Sequence, residues 1–437
     1  MEIGKDRDSS MLIVHSRTLS SLMKEHYEPG EIQNIFEFLE RQGTFSFPVL
    51  SNGLFPAANL EEASLYTGYS NVWVRDNIYV AYAHFINGQG DTALRNVKTL
   101  GRYFVEHKWR LEKIIAGQLD YNEPTNRPHV RFNGQNLSEI PQKWAHAQND
   151  ALGYFLWLFC KIHSETGAAI SGEERELLGL FVSYLDAIRY WEDEDSGHWE
   201  EKRKIEASSI GVVAGGLLEL KKWLEKETST GFDDAGVIAL LDHLIDKGIT
   251  SLERILPAEC VQPAPDKNRR FDAALLFLIY PLDIVSEEMA DRILFDVSQN
   301  LQGDYGIRRY LGDSFWAADY RDKLKPEERT TDFSDDLTAR DKLLKKGEEA
   351  QWCIFDPILS IIYGMRYKKY QKSHDRELQS YHFNRSLGQL TGEDSPFGPL
   401  RCPELYYLVR GRYHPNDTVP LLWTQANLWM AFRCMLS

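Results

Sequence analysis

The constraint that most limits the fold of this chain is a run of helical apolar spacings, each entered through a polar, motif-rich loop. Ile78, Ala81 and Phe85 recur at helical spacing after VWVRDN. Leu152, Leu156 and Phe159 do so after AQND, and Val213, Leu217, Leu220 and Leu224 follow EASS. The pattern continues over residues 174–191, 233–255, 286–299 and 348–370, punctuated by Pro and Gly clusters such as PAECVQPAPD. Strand signals are few. Helix pairs repeated at this length predict an all-α closed array, and no switch of composition along the 437 residues marks a second core, so one domain over 1–437 is expected.

One stretch departs from the pattern. Residues 317–346, including RDKLKPEERTTDFSDDLTARDKLLKK, are highly charged and nearly devoid of aromatic residues, which predicts a flexible excursion or lid. Elsewhere the 11 Trp, 21 Tyr and 21 Phe are enough both to fill a core and to line a cleft. The net charge of −15 argues against nucleic acid or an anionic membrane surface as partner, since each would require a basic patch.

The five cysteines, Cys160, Cys260, Cys353, Cys402 and Cys434, are scattered and form no CxxC pair, so they read as reduced thiols. Charges interrupt the N-terminal MEIGKDRDSSMLIVHSR where an export signal needs a continuous apolar stretch, and a cytoplasmic location is the expectation. The last four residues, CMLS, formally fit a prenylation box, but Leu421, Leu428, Phe432 and Met435 at helical spacing assign Cys434 to a packed terminal helix. Phosphate loops, nucleophile elbows and zinc spacings are missing from the sequence.

The chemistry is concentrated in the loops. In GHWEEKRKIEASSIG, Glu200 and Glu201 stand behind the indole of Trp199. A neighbouring carboxylate and an apolar wall both favour a protonated acid near neutral pH, as a proton donor needs. VWVRDN sets Arg75 and Asp76 beside Trp73, a pairing able to grip adjacent hydroxyls or simply to make a salt bridge at a helix start. KWAHAQNDALGY supplies Trp144, His146, Gln148 and Asp150, the last also a possible helix cap. YGIRRYLGDSFW carries Arg308, Arg309, Tyr310 and Asp313. In PLRCPELYYL, Glu404 sits between Pro403 and the aromatic pair Tyr406 and Tyr407. His146 and His198 read as structural hydrogen-bonding groups.

VWVRDN, WAHAQNDA, HWEE with EASSIG, YGIRRYLGDSFW, PELYYL and LLWTQANL occur in the order of the motifs of glycoside hydrolase family 15, the family of the glucoamylases. The chain also resembles the family-15-like region of the α and β regulatory subunits of phosphorylase kinase, in VWVRDN, EASSIG and PELY. The resemblance runs over residues 72–431. It implies an (α/α)6 toroid with a site in the funnel at one end. It further implies Glu200 as general acid and Glu404 as general base, with Arg75 and Asp76 on the terminal glucose, Trp144 and Arg309 as further substrate contacts, and Glu201 beside the acid. Trp73, Asp150 and Tyr406 complete the expected substrate-binding set. No cofactor or metal is implied, because two carboxylates suffice for glycoside hydrolysis.

The chain departs from the glucoamylase pattern in one place. Lys202-Arg203-Lys204-Ile205 replaces a short glycine-containing turn, as in the kinase subunits, and three cations there are expected to lower the pKa of Glu200. Glu201, in contrast, is kept as in glucoamylases, where the kinase subunits carry arginine. Three readings stay open: an inverting exo-acting hydrolase releasing glucose from an α-glucan or small α-glucoside, a silent module binding a glycan or a protein partner, and a trehalase or other disaccharide hydrolase.

Overall fold

A computed structural model describes residues 12–59, 68–226, 234–332, 334–343, 345 and 347–437. The N-terminal residues 1–11, read above for an export signal, and positions 333, 344 and 346 of the charged excursion lie outside the described residues.

Among the described residues, twelve of the helices form the ring, and their burial separates them into two sets. Six expose part of their surface to solvent: α1 (Pro29–Arg41), α3 (Gly90–Glu106), α5 (Gly172–Ala187), α7 (Asp234–Ile255), α9 (Glu287–Asn300) and α11 (Ser373–Gly388), the last only along its first turns. Alternating with them are α2 (Val74–Ile86), α4 (Asn149–Thr166), α6 (Ala207–Lys226), α8 (Leu276–Ile279), α10 (Phe355–Tyr370) and α12 (Leu422–Leu436). Their opening turns are buried on every side, and a helix buried all round belongs to the inner layer. Consecutive inner helices touch in the sequence α2, α4, α6, α8, α10, α12, and α12 returns to α2, so the ring closes into an (α/α)6 toroid. The outer α1 covers α12, which fills the last hairpin.

Local sequence explains the boundaries. Ser171 caps α5 in a reciprocal box with Glu174, and Ser286 caps α9 through the Met289 amide at 3.2 Å. Asp272 accepts from Ala274 N at 2.8 Å and starts the short turn Ala273–Leu275 that leads into α8. The helix expected over 348–370 begins only at Phe355, because Gln351–Trp352 pairs as a strand.

The helices α4 and α6 approach each other backbone to backbone. A Cβ added at Gly153 would stand 2.7 Å from the Val213 amide nitrogen, and one at Gly216 would stand 2.6 Å from the Gly153 carbonyl oxygen. Backbone lies against backbone at both positions, so no side chain there can move aside.

Two small antiparallel sheets stand at the end of the ring where the inner helices begin. In the first, β1 (Val72–Trp73) pairs with β2 (Arg131–Asn133), which pairs with β3 (Ser138–Glu139); Trp73 lies opposite Arg131. In the second, β4 (Gln351–Trp352) pairs with β5 (Leu405–Val409), which pairs with β6 (Arg412–Pro415); Trp352 lies opposite Leu405. Each sheet delivers chain directly into an inner helix or onto the rim above one.

The charged excursion is held against the body. Residues Tyr320–Lys323, Pro326–Arg329 and Thr338–Asp341 each form one helical turn. Arg329 and Arg340 are buried; Arg329 reaches Asp417 at 3.3 Å and Arg340 Nε donates to Ser314 Oγ at 2.8 Å. Through these two buried guanidinium groups the segment is joined to Asp417 and Ser314. All five cysteines are free thiols, with Cys434 in α12 as its spacing predicted. Among the described residues no helix is long and apolar enough to cross a membrane.

The Gly153 contact yields a measurable expectation. Gly153→Ala should lower stability by about 1–3 kcal/mol through overpacking, read as a shift in the urea midpoint. Gly172→Ala, at the exposed start of α5 with nothing within 4 Å of its Cβ, should be neutral or raise stability by about 0.4–1 kcal/mol. Equal midpoints for the two variants would contradict the packing described.

Candidate active site

A cavity with about 840 Å³ of atom-free space, partly open to solvent, lies at the end of the ring where the inner helices begin. Trp73, Arg75 and Asp76 reach it from the start of α2, Trp144 from the loop before α4, Glu200 from the loop before α6, Arg309 and Trp352 from the far wall, and Glu404 from the residue preceding β5. Trp423 of α12 forms part of the floor. Glu200 and Glu404, separated by 204 positions in the chain, thus face one cavity.

Glu200 owes its direction to a tight turn. The Asp195 and Lys204 backbones pair through two 2.9 Å hydrogen bonds and close the loop between them, and Ser196 N donates to Ala147 O at 2.6 Å. Gly197 adopts φ +50°, and a Cβ there would collide with Glu206 Oε2 at 1.7 Å. Glu200 itself has φ +58°, a left-handed conformation that costs a non-glycine residue energy and turns its side chain into the cavity. Trp199 is anchored by its indole N–H on Asp272 at 3.0 Å.

The two adjacent glutamates occupy opposite electrostatic environments. Burial pushes the Glu200 carboxyl above its ordinary range, a rise only partly offset by Arg75, whose Nη1 is 3.6 Å away, and by Arg131. Burial acts on Glu201 in the same sense, but Arg340, Arg309 and Arg269 outweigh it and hold that carboxyl well below the usual carboxylate range. Arg309 Nη2 donates to Glu201 Oε1 at 3.1 Å, Tyr310 Oη to Oε2 at 2.6 Å, and Arg340 joins them on Oε1. Glu201 therefore stands behind the cavity wall as the counter-ion of three guanidinium groups.

The expected effect of Lys202-Arg203-Lys204 on Glu200 is corrected by this geometry. Lys202 pairs outward with Asp266 at 2.5 Å, and Lys204 donates to the Lys202 carbonyl and acts on Glu201. The cations that do lower Glu200 come from α2 and β2, remote in sequence.

Glu404 is also buried, which raises its carboxyl. Tyr69 Oη donates to Oε1 at 2.7 Å and Asn416 Nδ2 donates to Oε2; both bonds favour the ionised form and counter the effect of burial. Asp76 lies between the two acids electrostatically. Burial lifts it most, Arg75 lowers it, and Glu200 and Glu404 raise it further, to about 7.

Arg75 is buried and fully engaged. Nε donates to Asp150 Oδ2 at 2.6 Å, and Nη2 donates to Gln148 Oε1 at 2.8 Å and to the Gly197 carbonyl at 3.0 Å. Asp150, expected to touch ligand or to cap a helix, is wholly buried in the first turn of α4 as the partner of Arg75. Arg309 forks onto Asp313 at 2.6 and 2.7 Å while lying 5.0 Å from the Trp199 ring centre and 4.9 Å from that of Trp352.

Tyr406 does not reach the cavity. Its hydroxyl donates to Gln389 O at 2.9 Å and its ring stacks on His15 at 4.6 Å, which directs it outward from β5. His198 borders the cavity but holds Ser208 Oγ and Tyr154 Oη, each at 3.1 Å, and burial lowers it to about 4. His146 stacks on His129 at 3.7 Å. His146 lies outside the cavity lining, whereas His198 borders it with both ring nitrogens on protein partners.

Sequence reading missed Tyr69, Asn416, Arg131 and Arg340. Arg131 lies 4.0 Å from the Trp144 ring centre and 4.8 Å from that of Trp73, a cation clasped between two rings of the wall. Asn416 was within reach of sequence analysis, since PND directly precedes the last motif; the other three carry no local signal. Among the described residues no group of three His, Cys, Asp or Glu side chains forms a metal site.

Comparison with known proteins agrees with this architecture. The sequence model described as Glycosyl hydrolases family 15 matches residues 44–321. The chain is 28% identical over 206 residues to the Uncharacterized lipoprotein YgeQ of Escherichia coli (strain K12), covering 42% of this chain and 78% of that protein. It is 24% identical over 403 residues to the Probable phosphorylase b kinase regulatory subunit alpha of Caenorhabditis elegans, covering 82% of this chain and 30% of that one, so it spans less than a third of the subunit's length. Among solved structures, a glycosidase variant superposes with a TM-score of 0.67 at 18% identity, over 94% of this chain and 100% of the other. A bacterial glucoamylase complexed with acarbose gives 0.53 at 14% identity, over 88% of this chain and 52% of that one. With a family match across well over half of its length and the fold to go with it, the chain belongs to glycosyl hydrolases family 15.

Proposed function

We propose that the protein is an inverting, exo-acting α-glucoside hydrolase that releases glucose from the non-reducing end of an α-glucan or small α-glucoside. The observation that supports this reading most is the pairing of Glu200 and Glu404 on one cavity in unequal settings. Glu200 is raised by burial and borders a single close guanidinium, while two neutral donors bias Glu404 toward its anion.

In this mechanism Glu200 transfers its proton to the glycosidic oxygen as the C1–O bond breaks. Glu404 removes a proton from a water that attacks C1 on the opposite face, leaving β-glucose and the free alcohol. Asp76, with Arg75 behind it, is suited to hold hydroxyls of the terminal sugar, and Trp73, Trp144 and Arg309 to bound its ring. The net negative charge suits a neutral substrate held in the cytoplasm.

A second reading is favoured by the similarity to the phosphorylase b kinase regulatory subunit: a module of the same fold that binds a glycan or a protein partner without turnover. Hydrolysis of trehalose or another disaccharide is a third.

Glucose release from maltose, maltooligosaccharides, isomaltose and trehalose, with the anomer followed by NMR, separates these readings. β-Glucose should appear first from an α-linked substrate, and Glu200→Gln and Glu404→Gln should each lower kcat by at least ~10²-fold. A folded protein that binds a glucan and releases no glucose would leave the binding module standing.

The pH profile follows from the same carboxyls. Glu404 must be ionised and its pKa is raised, so the acid limb of kcat/KM should lie above the ordinary carboxylate range; Glu200 must be protonated, so activity should fall as pH rises through its raised value. Asp76 titrates near 7 beside both, so the limbs belong to the coupled set. A profile flat to pH 9 would contradict Glu200 as the proton donor.

A further inference from the structure

The charged excursion contributes a wall of the cavity that the assignment of acid and base leaves unexplained. Thr330, Thr331 and Asp332 line the same space as Trp144, which belongs to a different loop. Their exposure sets them at the rim: Thr331 is exposed and Thr330 and Asp332 are half-buried, whereas Glu404 and Trp423 deeper in are 2% and 4% exposed. The segment is fastened on both sides of the rim residues by the buried Arg329 and Arg340. It is also tied across to the Trp144 loop by the ion pair Lys143–Asp335.

Two of the residues lining this space carry a polar atom without a hydrogen-bond partner. Asp332 uses Oδ1 to accept from Ser334 N at 2.9 Å, while its Oδ2 is buried with no hydrogen-bond partner. The indole N–H of Trp144 is buried and without a partner, its ring already covered on one face by Arg131. A buried acceptor and a buried donor left open are costly unless a ligand completes them. A sugar hydroxyl, which both donates and accepts, has the chemistry to do so.

We propose that Asp332 accepts a hydrogen bond from a hydroxyl of the second sugar, on the leaving-group side of the scissile bond, and that the rim segment confines the protein to short α-glucosides of two or three residues. This rests on the α-glucoside reading above and names its substrate class. With the strap joined to the Trp144 loop by Lys143–Asp335, sugars beyond the third are expected to gain no contacts.

The test is calorimetric titration with glucose, maltose, maltotriose and maltoheptaose, alongside glucose release from the last three, for the native protein, Asp332→Ala, Asp332→Asn and Lys143→Ala. Native affinity should rise from glucose to maltose and level off by maltotriose. Asp332→Ala should weaken maltose about tenfold more than it weakens glucose, and Asp332→Asn, which keeps an acceptor, should recover part of the loss. Lys143→Ala, on an exposed pair, should improve relative use of maltoheptaose. Equal weakening of glucose and maltose, or affinity still climbing at maltoheptaose, overturns the proposal and leaves the hydrolase reading intact. Asp332-dependent binding without glucose release leaves the proposal standing and removes the hydrolase reading. Absence of binding to every sugar removes both.

Discussion

The rest of the site depends on the buried guanidinium of Arg75. A guanidinium cannot give up its charge in a protein, so once buried it must be surrounded by acceptors. Arg75 recruits them from two separate loops: Asp150 and Gln148 at the entry to α4, and the Gly197 carbonyl and the Glu200 carboxylate edge in the turn before α6. Removing it would leave Asp150, which is wholly buried, as an uncompensated charge. The ends of three inner helices are thereby set in register by polar pairing, above a core whose apolar packing holds the ring but does not aim the loops. A second link works the same way: Arg127 forks onto Asp193 at 2.6 and 2.8 Å while Asn149 donates to the same carboxylate.

Above that frame, the neighbours Glu200 and Glu201 show how environment assigns roles to identical side chains. The left-handed backbone at Glu200 sends one carboxyl into the cavity and leaves the next facing Arg269, Arg309 and Arg340. Burial raises both, yet only at Glu201 do enough cations converge to reverse the effect. That triple contact also ties the excursion, through Arg340, to the loop carrying the proposed donor. Arg340, which also lines the cavity, thus joins the rim to the loop that carries Glu200.

The ring was legible because inner helices repeat apolar residues at helical spacing and begin in loops dense with polar and aromatic residues. Glu200, Glu404, Arg75, Asp76, Trp73, Trp144 and Arg309 could be named for the second reason, and they meet at one end because all six inner helices start there. The two sheets were not legible, since strands of two to five residues carry no period to detect. Arg131, Tyr69 and Arg340 are single polar residues whose relevance exists only after folding. Three expectations failed because adjacency along the chain was taken for adjacency in space. Tyr406 follows Glu404 by two positions but packs outward on His15, Lys202 turns to Asp266, and Asp150 sinks behind the wall instead of lining it. The charge of the excursion does not reveal that two of its arginines, Arg329 and Arg340, are buried.

The cavity's charge pattern bears on whether it turns over a sugar or only holds one. Asp76 and Glu404 are buried and Glu200 is partly so, and burial, with a further push from Glu200 and Glu404, raises Asp76 to about 7. For a pocket that merely binds a neutral glycan this is a poor arrangement: mutual repulsion and desolvation are unfavourable, and amides or hydroxyls would supply the same hydrogen bonds without either. A left-handed glutamate adds backbone strain to the same place. Such costs are understandable where one carboxyl has to keep a proton near neutrality and another has to accept one, because only titratable groups can exchange the protons that glycoside cleavage requires. On this ground the hydrolase is the stronger reading of the site, and a binding module would have to retain the same strained, repulsive constellation with no proton to move.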